Sequence, residues 1–343
     1  MTPYVPWVYD MNKQFGVKVA IEHVVEELAT RIPGQVDPEE LDVPQIYPTS
    51  LTRHKIDVVD SFGKPIANTK TTIERPTLVN LVDTVPLLWV PGYGGIKPAY
   101  RRPREGSAQE GRISATWRPI RDLSFIETFR LANLRHPELL PRRTLQSVIN
   151  YVCDETESDQ VDLACHSMGG FIAALATVKD TEKVRNLVLV ASAGLEDHSL
   201  LTLAKRSLPF FKGEFIPHFH TLREENEARM ALEALDYFLR NPLRTMAEGF
   251  AVANCNIRDD IERVRDAGVM IGGLLFAADE LFIEENVRDQ AGHLFHILDT
   301  FEMPDVGHMG PQLHGLAVAR AVVSISTRLN LANQTLPRLS IVK

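Results

Sequence analysis

Apolar and polar positions change their period several times along this 343-residue chain, and those changes divide it into elements. Val17, Ile21, Val24 and Leu28 recur at helical spacing while Glu22, Glu26 and Glu27 take other faces, so one amphipathic helix is expected before Pro33-Gly34. A helix that lies on a membrane surface carries Lys and Arg on its polar face; this one is acidic, and its stripe is expected to pack on the main domain. Asp37 to Pro48 holds three prolines and reads as a linker. From Lys55 the pattern becomes that of strands. Ile56–Val59 and Thr69–Ile73 form a hairpin around Gly63-Lys64-Pro65, and Leu87-Leu88-Trp89-Val90 follows as an apolar run, as in a strand buried on both faces of a parallel sheet.

The alternation then repeats. Ile113–Trp117 reads as a strand, and Arg142–Cys153 as a helix with Leu145, Val148, Ile149 and Val152 on one side. Val161–Cys165 is a short apolar run that passes straight into the helix-friendly residues Gly169 to Leu175, with Ser167 at the corner. Asn186–Ala191, Val269–Phe276 and His293–Leu298 are the remaining strands. Strands alternating with helices define an α/β class with a mostly parallel sheet and helices on both faces. The long stretch between Ala191 and Val269 is instead mostly helical. Ala228, Ala231, Leu232, Leu235, Phe238 and Leu239 make one apolar stripe, and Leu243, Met246 and Phe250 make another. Its first part, Leu200 to Phe219, is rich in Leu and Phe.

Composition narrows the class of protein. A content of 44% hydrophobic and 24% charged residues gives core enough for one large domain with an insertion. The net charge of -8 argues against a nucleic-acid partner. Cys153, Cys165 and Cys255 show neither paired nor metal-ligand spacing, which favours a reducing compartment. The first thirty residues include Pro3, Pro6, Asp10 and Lys13 and hold no apolar core of signal or anchor length, so a cytoplasmic protein without stable membrane insertion is expected. Residues 96–121 depart from the acidic balance: Lys97, Arg101, Arg102, Arg104, Arg112, Arg118 and Arg121 stand against Glu105 and Glu110. That patch is either a solvated loop or an attractor for an anionic substrate. His218-Phe219-His220 has no partner ligand in view, and neither a metal nor another cofactor is expected.

The strand-to-helix corner carries the chemistry. A serine there can form a nucleophile elbow, whose sharp turn needs small neighbours two positions away on either side. Gly169 meets that need downstream, and Cys165 stands where glycine is more usual. The run His166-Ser167-Met168-Gly169-Gly170 resembles the elbow of the α/β-hydrolase family. The resemblance extends over about residues 55 to 343 and implies that fold, with the core at 51–194 and 268–343, a helical cap at 195–267, and an N-terminal extension at 1–50 outside it. It also implies a triad in the order nucleophile, acid, histidine: Ser167, then Asp279 a few residues beyond the strand Val269–Phe276, then His308 in Gly307-His308 ahead of the helix-opening Pro311. The oxyanion hole would be formed by the backbone N–H groups of Tyr93, after Leu87–Val90, and Met168. The chain has Pro91-Gly92 where most relatives have His-Gly.

Each group has a reason to be there. A serine hydroxyl is a weak nucleophile and needs a base to take its proton, which an imidazole with a pKa near ~6.5 can do. Glu280 and Asp305 are rival acids; Asp305 lies too close in sequence to His308 to reach around its ring. His166 adjoins the nucleophile and is expected to be structural, because neighbouring side chains at a tight turn diverge. The expected activity is hydrolysis of an ester or related acyl bond, through an acyl-enzyme, in a small molecule with an apolar acyl or aryl part. The alternatives are carbon-carbon bond hydrolysis or lysis on the same triad, and a non-catalytic receptor that keeps the fold.

Overall fold

The structure is a computed structural model that describes residues 49–59, 65–77, 81–92, 100–117, 136–215 and 242–335. The helix and linker expected before residue 49, the stripe expected at 228–239 and the His218-Phe219-His220 run lie outside the described residues. Among the described residues eight strands form one sheet: β1 (Thr49–Val59), β2 (Pro65–Pro76), β3 (Asp83–Val90), β4 (Arg112–Trp117), β5 (Val161–His166), β6 (Val184–Val190), β7 (Met270–Leu275) and β8 (Ile297–Thr300). Their order across the sheet is β1-β2-β4-β3-β5-β6-β7-β8. The hairpin β1–β2 is antiparallel, β2 is antiparallel to β4, and every pairing from β4 to β8 is parallel.

The apolar runs read as buried strands serve two cores at once. Side chains alternate across a strand, so Leu88 and Val90 join one apolar cluster while Leu87 and Trp89 join the other. Leu187 and Leu189 of β6 likewise face the first cluster, with Val188 and Val190 in the second. The first is closed by α2 (Leu139–Thr156), α3 (Met168–Thr177) and α6 (Arg258–Asp266), and the second by α1 (Arg101–Gln109) and α9 (Gly315–Thr335). Two further helices, α4 (Leu200–Phe210) and α5 (Pro242–Asn254), lie between β6 and β7 in the chain, and α7 (Glu284–Ala291) and α8 (Gly310–Leu313) flank β8.

Two expectations are corrected. The last strand starts at Ile297 and not at His293, because Gly292–Leu294 forms a 3₁₀ turn and the His296 backbone N–H and ring Nδ1 both pair with the Ile271 backbone. The basic stretch is neither a loop nor free charge where it is described. It folds as α1 and β4, Arg104 is buried against Glu74 at 2.7 Å, and Arg101 pairs with Glu105.

Arg112 anchors a larger network. Its side chain is 0% exposed, and it donates to Asp162 Oδ2 at 2.7 Å, to the Val85 carbonyl at 2.8 Å and to Ser326 Oγ at 3.1 Å. Asp162 also accepts from Arg185 and Ser326, and Arg185 reaches on to Asp83. Asp83, Arg112, Asp162 and Arg185 stand at or near the first residue of β3, β4, β5 and β6, so the four central strands are tied together at their amino ends. Asp162→Ala would leave the Arg112 guanidinium buried without its carboxylate and should cost about 3–5 kcal/mol, read as a fall in the urea unfolding midpoint. An unchanged midpoint would show that the network carries no stability.

Candidate active site

Three loops meet at the carboxyl ends of β5, β7 and β8, beside the end of β3 and at the edge of the sheet opposite that network. Ser167 lies between β5 and α3 with φ 56° and ψ −127°, a conformation that costs a non-glycine residue about 1–3 kcal/mol and persists only when neighbours hold it. They do hold it. The Ser167 N–H donates to Val190 O at 3.1 Å, and its carbonyl accepts the N–H groups of Gly170 at 3.0 Å and Ala193 at 3.1 Å. A Cβ on Gly169 would stand 2.5 Å from Val90 O and 2.7 Å from Pro91 O, so the elbow passes directly against the end of β3 and glycine is required there. Cys165 is fully buried in the first cluster, and burial raises its thiol well above the usual range, which keeps it neutral.

His308 Nε2 is 2.9 Å from Ser167 Oγ, and its Nδ1 is 2.9 Å from Asp279 Oδ2. A carboxylate only accepts, so Nδ1 carries the proton and Nε2 is left to accept from the serine hydroxyl. Asp279 is held in turn: its Oδ1 accepts the N–H groups of Leu281 at 2.8 Å and Phe282 at 3.0 Å. All three residues are buried, whereas Glu280 and Asp305 are exposed, which separates Asp279 from its rivals. Burial by itself lowers the basicity of His308. The charge and hydrogen bond of Asp279, with the charge of Glu214, outweigh it and raise the pKa above the ordinary imidazole value. The edges of Phe210 and Phe282 face the ring at 5.8 and 5.2 Å between centroids.

A second hydrogen-bond chain runs beneath the first. His166 Nε2 faces the His308 carbonyl at 2.8 Å, an acceptor, so Nε2 is the protonated nitrogen and Nδ1 accepts from Tyr100 O–H at 2.6 Å. The phenol oxygen accepts the Gly92 N–H at 2.9 Å and Gln312 Nε2 at 3.3 Å. Burial, reinforced by the charge of His308, lowers the His166 pKa far enough to keep the ring neutral, and burial also pushes the Tyr100 phenol up so that it remains a donor. The chain thus connects the end of β3, the elbow strand and the histidine loop.

The structure brings Ser167, Asp279 and His308 together as the sequence order implies, and it places Met168 at the first position of α3, where a helix leaves its N–H groups without intrahelical partners. Tyr93 lies outside the described residues. Sequence reasoning missed Tyr100, which no motif marks. It assigned His166 a structural part without finding the link to His308. It also missed Glu214, whose Oε2 accepts the Met309 N–H at 2.9 Å, in a segment read only for its apolar content. Among the described residues no group of three His, Cys, Asp or Glu side chains is disposed to hold a metal ion, and no helix is long and apolar enough to cross a membrane.

With sheet, elbow and histidine loop in place, the class of protein is defined: an eight-stranded, mostly parallel α/β fold with a serine at a strained strand-to-helix corner. The sequence model of the alpha/beta hydrolase family matches residues 83–321, more than half of the chain. The chain belongs to that family, and membership implies a hydrolase. A comparison with curated protein sequences found no match. Similar solved structures include a bacterial membrane phospholipase A described as a virulence factor, at 14% identity and a TM-score of 0.57 over 82% of this chain and 87% of that one. A thermophilic esterase from Thermogutta terrifontis with malate bound aligns at 14% identity and 0.52, over 81% and 99%. A proline iminopeptidase of Mycobacterium smegmatis aligns at 12% and 0.58, over 82% and 99%. At these identities the likeness is one of fold.

Tyr100→Phe removes the acceptor of the buried Gly92 N–H and the donor to His166. It should destabilise the protein by about 1–3 kcal/mol in chemical denaturation. Stability equal to the parent would mean that the second chain does not hold the site.

Proposed function

We propose that this protein is a serine hydrolase that cleaves an ester or related acyl bond of a partly apolar small molecule through an acyl-enzyme. The observation that carries the reading is the unbroken chain Ser167 Oγ, His308, Asp279, with both contacts at 2.9 Å and all three groups buried. In the first half-reaction His308 Nε2 takes the Ser167 proton as Oγ attacks the acyl carbon, and it then gives that proton to the leaving alcohol. A water, deprotonated by the same nitrogen, attacks the acyl-enzyme in the second half and releases the acid and free Ser167. Asp279 keeps the proton on Nδ1 and stabilises the imidazolium. The oxyanion would lie against the N–H groups of Met168 and, by family resemblance, Tyr93; one such donor contributes roughly 3 kcal/mol to the barrier in comparable sites.

Residues 195–267 are assigned as a helical cap on a core of 51–194 and 268–343, with 1–50 as an N-terminal extension. α4 supports this assignment, since Arg206 on that helix pairs with buried Glu196 at 2.7 Å and donates to the Leu281 carbonyl at 3.0 Å beside the Asp279 turn. The aromatic edges of Phe210 and Phe282 next to His308 favour a substrate with an apolar acyl or aryl part. Among the similar structures are ones described as an esterase and a phospholipase A, which is why an ester comes first; one described as a proline iminopeptidase keeps other acyl bonds in view. Three free cysteines fit a reducing, cytoplasmic setting.

A fluorophosphonate probe tests the reading. The parent protein should be labelled and Ser167→Ala should not, with turnover of short acyl nitrophenyl esters lost in the same variant. Labelling that survives in Ser167→Ala would remove the assignment. Because the base must be neutral and its pKa is raised, the labelling rate should climb with pH through a midpoint above that of a free imidazole, near ~6.5. A rate independent of pH across that range, with chemistry limiting, would exclude His308 as the base.

A further inference from the structure

Glu214 sits on a single π turn, Phe211–Phe215, that continues α4. Its carboxyl group engages the histidine loop on both sides of His308. Oε2 accepts the Met309 N–H at 2.9 Å. Oε1 occupies the space beside Gly307, where a Cβ would stand 1.3 Å from it and also 2.9 Å from the Ala278 carbonyl. Gly307 therefore leaves room for a side chain from a distant part of the sequence. The same Oε1 is buried and has no hydrogen-bond partner, so the ionised carboxylate is only half satisfied by donors.

Glu214 feels His308 and Asp279, and the exposed Glu280 lies near Gly213 on the same turn. His308 faces Asp279, Glu214, the neutral His166 ring at 4.8 Å and the uncharged Ser167, Phe210 and Phe282. Burial, joined by the charge of Asp279, pushes Glu214 up to about 7, although the Met309 N–H and His308 act in the opposite direction. Each of the two groups, when charged, favours the charged form of the other.

We propose that Glu214 is a positioning residue: it fixes the Gly307–Met309 backbone and, when ionised, favours the imidazolium form of His308, so that docking of the 200–215 segment and the strength of the base are one event. The proposal rests on the reading of Ser167 and His308 as nucleophile and base. Asp279 holds the ring through Nδ1, while Glu214 acts through the loop backbone and through its charge. Withdrawal of the segment would remove both at once.

The test is a ¹³C NMR titration of histidine-labelled full-length protein, with the His308 signal assigned from His308→Asn, run beside fluorophosphonate labelling over the same pH range. Glu214→Gln keeps an acceptor for Met309 and the volume beside Gly307 but removes the charge. The His308 midpoint should fall by about one unit, with the acidic limb of labelling following it. Glu214→Ala removes the anchor as well, and its plateau labelling rate should lie about ten-fold below that of the glutamine variant. A His308 titration that superimposes on the parent in Glu214→Gln, or equal plateaux in the two variants, would overturn the proposal. The NMR titration needs no turnover. A shifted midpoint in a protein that no probe labels would therefore support the coupling while counting against Ser167 as nucleophile.

Discussion

The backbone at Ser167 is the constraint on which the rest of the site depends. A serine at φ 56° and ψ −127° is unfavourable in isolation, and three hydrogen bonds and one close crossing hold it. The crossing has consequences beyond the turn itself. Because the Val90 and Pro91 carbonyls press against Gly169, the end of β3 is fixed relative to the start of α3, the helix that opens at Met168 directly after the serine. Gly92 is part of the same contact, since a Cβ there would stand 2.9 Å from that of Ser167.

The two ends of the parallel strands divide the work between them. At the amino ends, Asp83, Arg112, Asp162 and Arg185 form a buried ionic cluster in which each charge has a partner. At the carboxyl ends the polar groups are arranged as two chains that meet at His308. One passes from Ser167 through the imidazole to Asp279; the other passes from its carbonyl through His166 to Tyr100 and Gly92. The histidine loop is therefore positioned by three separate parts of the chain. In a buried setting, where an unpaired polar group is costly, such satisfied chains favour one geometry over its neighbours.

Much of this was legible in the residues, for identifiable reasons. Leu87–Val90 and Leu187–Val190 announce buried strands because alternate side chains feed opposite apolar clusters, so every position in each run is apolar. Ser167, Asp279 and His308 each follow a strand, and their order along the chain needed no coordinates. α1 was not legible: Arg101–Gln109 has no apolar stripe, and it packs through Gly106 against Ala319 and Leu316 and through the Arg104–Glu74 pair. The start of β8 was misplaced because Leu294 and Phe295 are apolar yet belong to a turn, with Phe295 lying over Gly273. Tyr100, the link from His166 to His308, and Glu214 are contacts between residues far apart in sequence, and no local period or motif records such contacts.

Acyl transfer to Ser167 is most directly tested by trapping the intermediate. The protein would be mixed with a short-chain nitrophenyl ester, quenched in acid within the first turnovers, and its digested peptides weighed. The expected result is the mass of one acyl group on the peptide that carries Ser167. Product formation with no acylated peptide, or an acyl group on a different residue, would contradict it.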